Sequence, residues 1–215
     1  ALAEEILKND GIVYGAFFDD DFVVKHGRCD NIDDLNKFCG SKYVQSQIEH
    51  VIESVFQDLI NGKVVLFVGT PCQIHSIKNY LNIKKQPLDN LLLCDFICHG
   101  VSSPLIWSEY INFLQEKYGL LLKYNFRGKR KGWHRSFPEI ILEKEDLSIC
   151  YSNKNSYLKI YKSCNIDRLS CYNCKYTTYN RESDITLGDF WNIDKVYPRM
   201  DDDTGVSQVL INTET

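Results

Sequence analysis

Two apolar stretches of strand length, each followed by a helical pattern, most constrain the fold of this chain. KVVLFVGT (63–70) and LLLCDFICHG (91–100) are almost continuously apolar, which is typical of strands buried on both faces of a parallel sheet. The segments that follow them, PCQIHSIKNYL and SPLIWSEYINFLQEKYG, carry apolar residues at the helical period. Strand, helix, strand, helix in this order predicts an α/β fold with a mostly parallel sheet, flanking helices and right-handed crossovers.

Shorter patterns on both sides of this unit complete the predicted fold. GIVYGAFFDDDFVVKH predicts two strands joined by an acidic turn, NIDDLNKF a short helix with Asn31 as N-cap, and SQIEHVIESVFQDLING a helix that ends at Gly62. Beyond Gly119, short strands are predicted in LLKYNFRG, FPEIILEKE, LSICYS, SDITLGDFW and VSQVLINT, with a helix in NSYLKIYK. We therefore expect one domain over residues 1–215, in which an α/β part (1–119) and a strand-rich part with a cysteine loop (120–215) share one core.

Composition and charge exclude several classes of protein. The 215 residues are 44% hydrophobic and 25% charged, and the net charge of -4 gives no overall attraction to nucleic acid or to an anionic membrane. No apolar run approaches the roughly 20 residues that span a bilayer. The opening ALAEEILKND predicts an amphipathic helix rather than a secretory signal, so we expect a trimmed N terminus and a cytoplasmic location. Because the cytoplasm is reducing, nine cysteines favour metal binding or catalysis over disulfides.

Two cysteines follow the two buried strands, at the edge where ligands bind in parallel sheets. Cys72 comes just after VLFVGTP, and Cys98 comes just after LLCDFI. Thr70 fits the N-cap of the next helix, Pro71 its first residue and Gln73 the reciprocal partner of a capping box, which places Cys72 in the first turn. The helix dipole and free amides there favour a thiolate, the form that binds metal or acts as a nucleophile. If the two strands are neighbours, both cysteines face one cleft.

The loop RLSCYNCKY (168–176) adds Cys171 and Cys174 at the spacing Cys-x-x-Cys. Together with Cys72 and Cys98 they give four thiolates, which suit either a tetrahedral zinc ion or an iron-sulfur cluster. Structural zinc sites usually pair two local Cys-x-x-Cys units, whereas two of these cysteines are single residues at strand ends. That arrangement favours a cluster, and a structural zinc or unconnected buried thiols stay open as alternatives.

Five motifs follow one another along the chain: GTPCQIHSIKNYL, DFICHGVSSPLIWSEY, FRGKRKGW, SCYNCKY and SDITLGDFWNI. Together they resemble the β-subunit family of coenzyme F420 hydrogenases and dehydrogenases. The resemblance extends from ALAEEIL to GVSQVLINT, over essentially the whole chain. It implies an oxidoreductase that carries FAD and a [4Fe-4S] cluster. It also implies that Cys72, Cys98, Cys171 and Cys174 stand at the cysteine positions that recur in the family.

The same resemblance implies a flavin site built from several parts of the chain. Residues expected near the flavin are Ser41, Lys42, Tyr43, Gln45, Thr70, Gln73 and His99. The basic run after FRG suits the FAD pyrophosphate or an anionic substrate, and Lys129 and Trp133 are its cofactor-binding candidates; a solvated strand end is the plainer alternative. His99 either donates a proton to reduced flavin or substrate, as a catalytic residue, or makes one structural hydrogen bond.

The remaining cysteines carry separate expectations. Cys29, Cys39, Cys94 and Cys150 are expected to be small core residues, because free cysteine is among the most buried residue types. Cys164 stands seven residues before the Cys-x-x-Cys pair, which makes it available as a substitute ligand.

These features together predict an iron-sulfur flavoprotein oxidoreductase. The cluster would pass electrons to FAD, and FAD would deliver hydride to an organic acceptor such as coenzyme F420 or an unknown substrate, with polysaccharide biosynthesis as one setting. Ferredoxin-like cysteine clusters, which many family members carry, are absent here, so we expect a redox partner protein or ferredoxin-like domain. Two alternatives stay open: a non-catalytic electron-transfer subunit, and a zinc-stabilised binding module.

Overall fold

The computed structural model describes residues 1–143 and 155–213. Its helices are α1 (Leu2–Lys8), α2 (Glu49–Ile60), α3 (Pro71–Ile83), α4 (Pro104–Tyr118), α5 (Ser156–Lys162) and α6 (Ile193–Val196). Its strands are β1 (Ile12–Phe18), β2 (Val24–Cys29), β3 (Val65–Val68), β4 (Leu91–Phe96), β5 (Leu121–Gly128), β6 (Phe137–Leu142), β7 (Ile185–Asp189) and β8 (Ser207–Ile211). Short 3-10 helices cover Asp33–Phe38, Leu169–Cys171 and Pro198–Met200.

Six strands form one sheet in the order β2-β1-β3-β4-β7-β8. The four central strands, β1, β3, β4 and β7, run parallel, whereas β2 and β8 pair antiparallel at the two edges. Strands β5 and β6 form a separate antiparallel pair. The predicted α/β class is therefore confirmed, with a mostly parallel sheet, flanking helices and additional short strands in the second half.

The two strands at the centre of the sheet are apolar, except for Asp95 of β4, because both of their faces are covered. Side chains alternate along a strand, so Val65 and Phe67 of β3 pack with α2 and α3 on one face. Leu66 points to the opposite face, where it packs in one cluster with Leu7 of α1 and Cys94 of β4. The continuous apolar runs in the sequence thus mark the centre of the fold.

A third cluster, rich in aromatic rings, contains residues from both halves of the sequence. Trp107 of α4 lies 4.8 Å from Tyr124 of β5 and 5.0 Å from Tyr157 of α5, measured between ring centroids. Its indole Nε1 donates a hydrogen bond to the carbonyl oxygen of Phe22 at 2.7 Å. Residues before and after Gly119 therefore pack against one another, while β7 and β8 extend the main sheet.

Local capping explains how the NIDDLNKF segment folds. It forms a 3-10 helix whose N-cap is Ile32, so the prediction of Asn31 as N-cap is wrong by one residue; Asn31 Oδ1 still accepts a hydrogen bond from the amide of Asp34 at 2.9 Å. The strand predicted in LSICYS lies outside the described residues. No helix in the described part of the chain is long and apolar enough to cross a membrane.

The structure corrects one expectation about the cysteines. Cys29 and Cys94 are buried, as predicted, within strands of the sheet. The prediction that Cys39 is a core residue is wrong, because it follows the 3-10 helix on the surface and is exposed. Cys150 lies outside residues 1–143 and 155–213.

Candidate functional site

Cys72 and Cys98 lie at one edge of the sheet because β3 and β4 are adjacent parallel strands. The register pairs Val68 with Cys94, so the chain leaves both strands at the same end of the sheet. Cys72 is exposed in the first turn of α3, and Cys98 is half-buried just beyond β4. The two thiols therefore share the edge at which parallel sheets bind ligands.

Helix α3 begins with the capping box that the sequence predicts. The amide of Thr70 donates to Gln73 Oε1 at 2.9 Å, and Gln73 Nε2 donates to Ser46 Oγ at 2.8 Å. Thr70 Oγ1 lies 3.1 Å from Cys72 Sγ. These contacts fix the first turn of α3 and the position of Cys72 within it.

The Cys-x-x-Cys loop is held against the segment that follows Cys98. The amide of Arg168 donates to the carbonyl oxygen of Val101 at 2.8 Å, and the amide of Cys171 donates to the carbonyl oxygen of Arg168 at 2.7 Å. Cys171 and Cys174 are both half-buried. Backbone hydrogen bonds thus carry this loop to the same sheet edge as the two earlier cysteines.

The four predicted ligand thiols influence one another electrostatically. The pKa of the Cys98 thiol is raised to about 11, mainly by burial and further by the charges of Cys72, Cys171 and Cys174. A hydrogen bond from the amide of Gly100 acts in the opposite direction. The strand register and the backbone hydrogen bonds of the loop place these four cysteines at one edge of the sheet.

The spacing of these thiols bears on what they could hold. Within residues 1–143 and 155–213, no three His, Cys, Asp or Glu side chains are close enough to hold a single metal ion. Four thiolates on one zinc would place their sulfurs about 2.3 Å from a common point. The donor set of four thiolates suits the chemistry of either a zinc ion or an iron-sulfur cluster.

His99 lies exposed beside Cys98 at this edge. Its Nε2 is 3.4 Å from Cys164 Sγ. Burial raises the pKa of the Asp167 carboxyl, and the positive charge of His99 partly offsets that rise. Gly100 has a φ of +123°, and a Cβ there would lie 2.8 Å from Asp167 Oδ2, so glycine permits the close approach of this carboxylate.

Segment 41–45, predicted to contact the flavin, runs beside the residues that follow Cys98. Lys42 Nζ donates to three backbone carbonyl oxygens of the preceding turn, and burial lowers its pKa to about 8. The ring of Tyr43 stacks on Tyr161 at 5.0 Å. The amide of Gln45 donates to the carbonyl oxygen of Ser102 at 3.1 Å. The Lys42 ammonium thus already binds carbonyl oxygens of the turn that precedes segment 41–45.

Lys129 and Trp133 lie farther along, against the loop between α6 and β8. Lys129 Nζ donates to the carbonyl oxygen of Thr204 at 2.8 Å. Trp133 is buried, its amide donates to the carbonyl oxygen of Asp203 at 2.6 Å, and its ring lies 4.8 Å from that of Trp191. Both candidates therefore contact segments just beyond β7 and before β8, apart from the cysteines.

Arg127, at the end of β5, connects these two groups of residues. Its guanidinium donates to Asp189 Oδ2 at the end of β7. Burial opposes the charged form, but Asp189 and Tyr43 together raise the pKa of Arg127. Arg127 thus joins the end of β5 to the end of β7 and lies close enough to Tyr43 to interact with it.

Two cavities lie near this edge, and neither is lined by the predicted flavin residues. A cavity of about 450 Å³ is lined by residues of α3 and of the segment after Cys174, including His75, Lys175, Tyr176 and Arg181. A smaller one of about 160 Å³ is lined by Lys25, His26, Gln47, His50 and Val51. The side-chain types of the predicted set suit a flavin, but these cavities do not provide its pocket.

Comparisons with known proteins agree with the motifs. A family model that describes the C-terminal part of the beta subunit of coenzyme F420 hydrogenase/dehydrogenase matches residues 62–215, well over half of the chain. The chain belongs to this family. The resemblance seen in the sequence is therefore confirmed, and the family is that of a subunit of an oxidoreductase complex.

The fold is also similar to that of a solved F420 hydrogenase chain. That chain comes from a xenon-derivatized structure of the F420-reducing [NiFe] hydrogenase complex from Methanosarcina barkeri. The TM-score is 0.59 at 16% sequence identity, covering 99% of this chain and 66% of the other. At that identity the likeness shows the fold alone, and the present chain spans just under two thirds of its neighbour. No curated protein sequence matches this chain.

Sequence reasoning missed several residues near the cysteines and the larger cavity. Asp167 near His99 and Arg181 beside the larger cavity do not stand out in the sequence, because isolated charged residues in loops carry no local pattern. Their roles depend on contacts between distant segments. The sequence marks Cys164 only as a substitute ligand, and in the structure its thiol contacts His99.

Proposed function

We propose that this chain is an iron-sulfur electron-transfer module of the coenzyme F420 hydrogenase/dehydrogenase β-subunit type. Cys72, Cys98, Cys171 and Cys174 would hold a [4Fe-4S] cluster at the carboxyl edge of the sheet. The observation that carries this proposal is that β3 and β4 end side by side with Cys72 and Cys98 just beyond them, while the amide of Arg168 binds the loop of Cys171 and Cys174 to Val101 at the same edge. Family membership agrees with this assignment.

A bound cluster would supply exchange of single electrons. The protein's own part is to hold four thiols in place. The α3 capping box fixes Cys72, and the end of β4 fixes Cys98. The loop of Cys171 is held by the hydrogen bond that the amide of Arg168 donates to the carbonyl oxygen of Val101. Partial burial of three of these thiols limits access of water, while Cys72 remains exposed. That exposed side suits electron exchange with a partner protein.

The finer part of the proposal is an oxidoreductase activity toward an organic acceptor, with FAD bound along the same edge. Support comes from the distribution of Tyr43, Gln45, Thr70, Gln73 and His99 beside the cysteines. His99, whose Nε2 lies 3.4 Å from Cys164 Sγ, would be the residue that donates a proton to reduced flavin or substrate.

A partner supplies or accepts the electrons in this proposal. The similar solved chain belongs to a hydrogenase complex, and the present chain spans 66% of it. We propose a redox protein or ferredoxin-like domain as the partner, and a small organic molecule as hydride acceptor. A non-catalytic electron-transfer subunit is the second candidate, since the family is that of a subunit of a larger hydrogenase or dehydrogenase.

The first experiment is anaerobic reconstitution with iron and sulfide, followed by visible and EPR spectra and analysis of iron, zinc and sulfide. Wild-type protein should hold about four irons per chain. Replacing Cys171 with Ser should remove most of that iron, because a hydroxyl is a poor ligand for iron-sulfur clusters. Cys39→Ser is the matched control and should leave iron content unchanged, because Cys39 is an exposed cysteine at the end of the 3-10 helix Asp33–Phe38 and is not among the proposed ligands.

Two results would overturn the assignment. One is a colourless protein that takes up one zinc and no iron, which would leave a structural zinc site. The other is equal iron content in Cys171→Ser and Cys39→Ser. Flavin-dependent reduction of an added deazaflavin by the reconstituted protein would separate a catalytic role from a purely electron-transferring one.

A further inference from the structure

Asp95 is a buried acid inside the sheet, three residues before Cys98. It belongs to β4, and only 1% of its surface is exposed. Side chains alternate along a strand, so Asp95 shares a face with Leu93, which packs against the cluster of α2 and α3. Neither of its carboxylate oxygens has a hydrogen-bond partner among the described residues. A buried carboxylate in this state requires a nearby compensating charge.

That charge comes from Arg181, on the segment that follows the Cys-x-x-Cys loop. The Arg181 side chain is 10% exposed, and its Nη1 lies 3.7 Å from Asp95 Oδ2. The same Nη1 donates a hydrogen bond to the carbonyl oxygen of Tyr176 at 3.2 Å. Tyr176 follows Cys174 by two residues, so one guanidinium connects the cysteine loop to the strand that leads to Cys98.

A buried ion pair of this kind adds little to the stability of a fold, but it favours one position of the segments that it joins. Removing two charges from water costs free energy, and at 3.7 Å without a direct hydrogen bond their attraction offsets only part of that cost. Any other position of the loop would separate Arg181 from Asp95 and leave the carboxylate buried alone. The pair therefore penalises displacement of the loop more than it adds to overall stability.

We infer that Asp95 and Arg181 are positioning residues that hold the loop of Cys171 and Cys174 against the end of β4. This inference rests on the proposed cluster site for its purpose, but the positioning itself is a property of the protein without metal. The plainer alternative is an ion pair that only stabilises the whole fold. The two roles differ in which part of the chain responds when the pair is removed.

The test is amide hydrogen exchange of the metal-free chain, comparing residues 169–181 with the rest of the sheet. Arg181→Met should speed exchange in that segment by about tenfold or more, and Arg181→Lys should recover part of the protection. Arg28→Met is the matched control, because Arg28 pairs with Asp58 at 2.8 Å and joins β2 to α2. It should leave exchange in residues 169–181 unchanged.

The double variant Asp95→Asn/Arg181→Met separates positioning from stability, since it buries no charge. If the pair positions the loop, overall stability recovers relative to Arg181→Met while exchange in residues 169–181 stays fast. If protection of the loop returns together with stability, or if Arg181→Met changes no local exchange, the inference is wrong.

Iron release provides a second measurement, on the reconstituted protein. A ferrous chelator, bipyridyl, should remove iron from Arg181→Met at least about tenfold faster than from wild type, with Arg28→Met unchanged. Equal release rates in wild type and Arg181→Met would contradict the inference. If wild-type protein takes up no iron at all, the proposed cluster fails, while the exchange experiment still decides whether the pair positions the loop.

Discussion

At the scale of single residues, His26 links the stability of the fold to pH. The ring is buried in β2, stacks on Phe67 at 5.2 Å, and its Nε2 lies 3.0 Å from the carbonyl oxygen of Val68. Because a carbonyl only accepts, Nε2 carries the proton and Nδ1 is left buried without a partner among the described residues. Burial, aided by the charge of Lys42, lowers the pKa of His26 to about 4 despite that hydrogen bond.

This shift predicts loss of stability in mild acid. The unfolded chain binds a proton at His26 near pH 6.5 and the folded chain only near pH 4, so stability is full above pH 6.5 and falls as the pH drops toward 4. Between pH 7 and pH 5 the loss from His26 is about 2 kcal/mol.

Urea unfolding of wild type and His26→Gln at both pH values measures this loss. Glutamine can donate to Val68 but does not titrate, so the variant should lose about 2 kcal/mol less than wild type over that range. Identical losses in the two proteins would show that His26 does not carry the pH dependence.

At the scale of elements, the start of α3 determines where Cys72 stands. Gln73 satisfies the amide of Thr70 and also reaches Ser46, so one side chain joins the helix to the segment after β2. Gln73→Ala removes both hydrogen bonds and should lower the free energy of unfolding by about 1 kcal/mol.

Thermal or urea unfolding checks this effect, with Gln57→Ala as the control. Gln57 is exposed on α2, and within residues 1–143 and 155–213 its side chain bonds only to Glu53 of the same helix, so its loss should cost well under about 0.5 kcal/mol. A Gln73→Ala variant as stable as Gln57→Ala would mean that the capping box does not hold this turn.

Elements with a local pattern could be predicted from the sequence, and those that depend on distant partners could not. The capping box was predictable because Thr70, Pro71 and Gln73 are close together in the sequence. The pairing of Asp95 with Arg181 was not, because the two residues stand in separate segments and neither has a distinctive neighbour. The prediction that Cys39 is buried was wrong for a similar reason, because its burial depends on which residues pack against the 3-10 helix that precedes it.

At the scale of the whole molecule, the aromatic cluster around Trp107 decides whether the chain unfolds as one unit. Its members come from β2, α4, β5, β6 and α5, and β7 from the second half pairs with β4 from the first. Neither the α/β part nor the strand-rich part buries its apolar face alone. We therefore expect a single cooperative transition for residues 1–215, in agreement with the single domain predicted from the sequence.

Trp107→Phe tests this expectation because it leaves the fold intact but loses volume and the hydrogen bond to Phe22. The variant should lose about 2 kcal/mol, and its transitions by far-UV circular dichroism and by fluorescence of Trp133 and Trp191 should shift together. Trp191→Phe, at a position 63% exposed, is the control and should shift little. If Trp107→Phe moved the fluorescence transition while the circular dichroism transition stayed in place, the two parts would be separate folding units, because a shared core cannot lose stability on one side only.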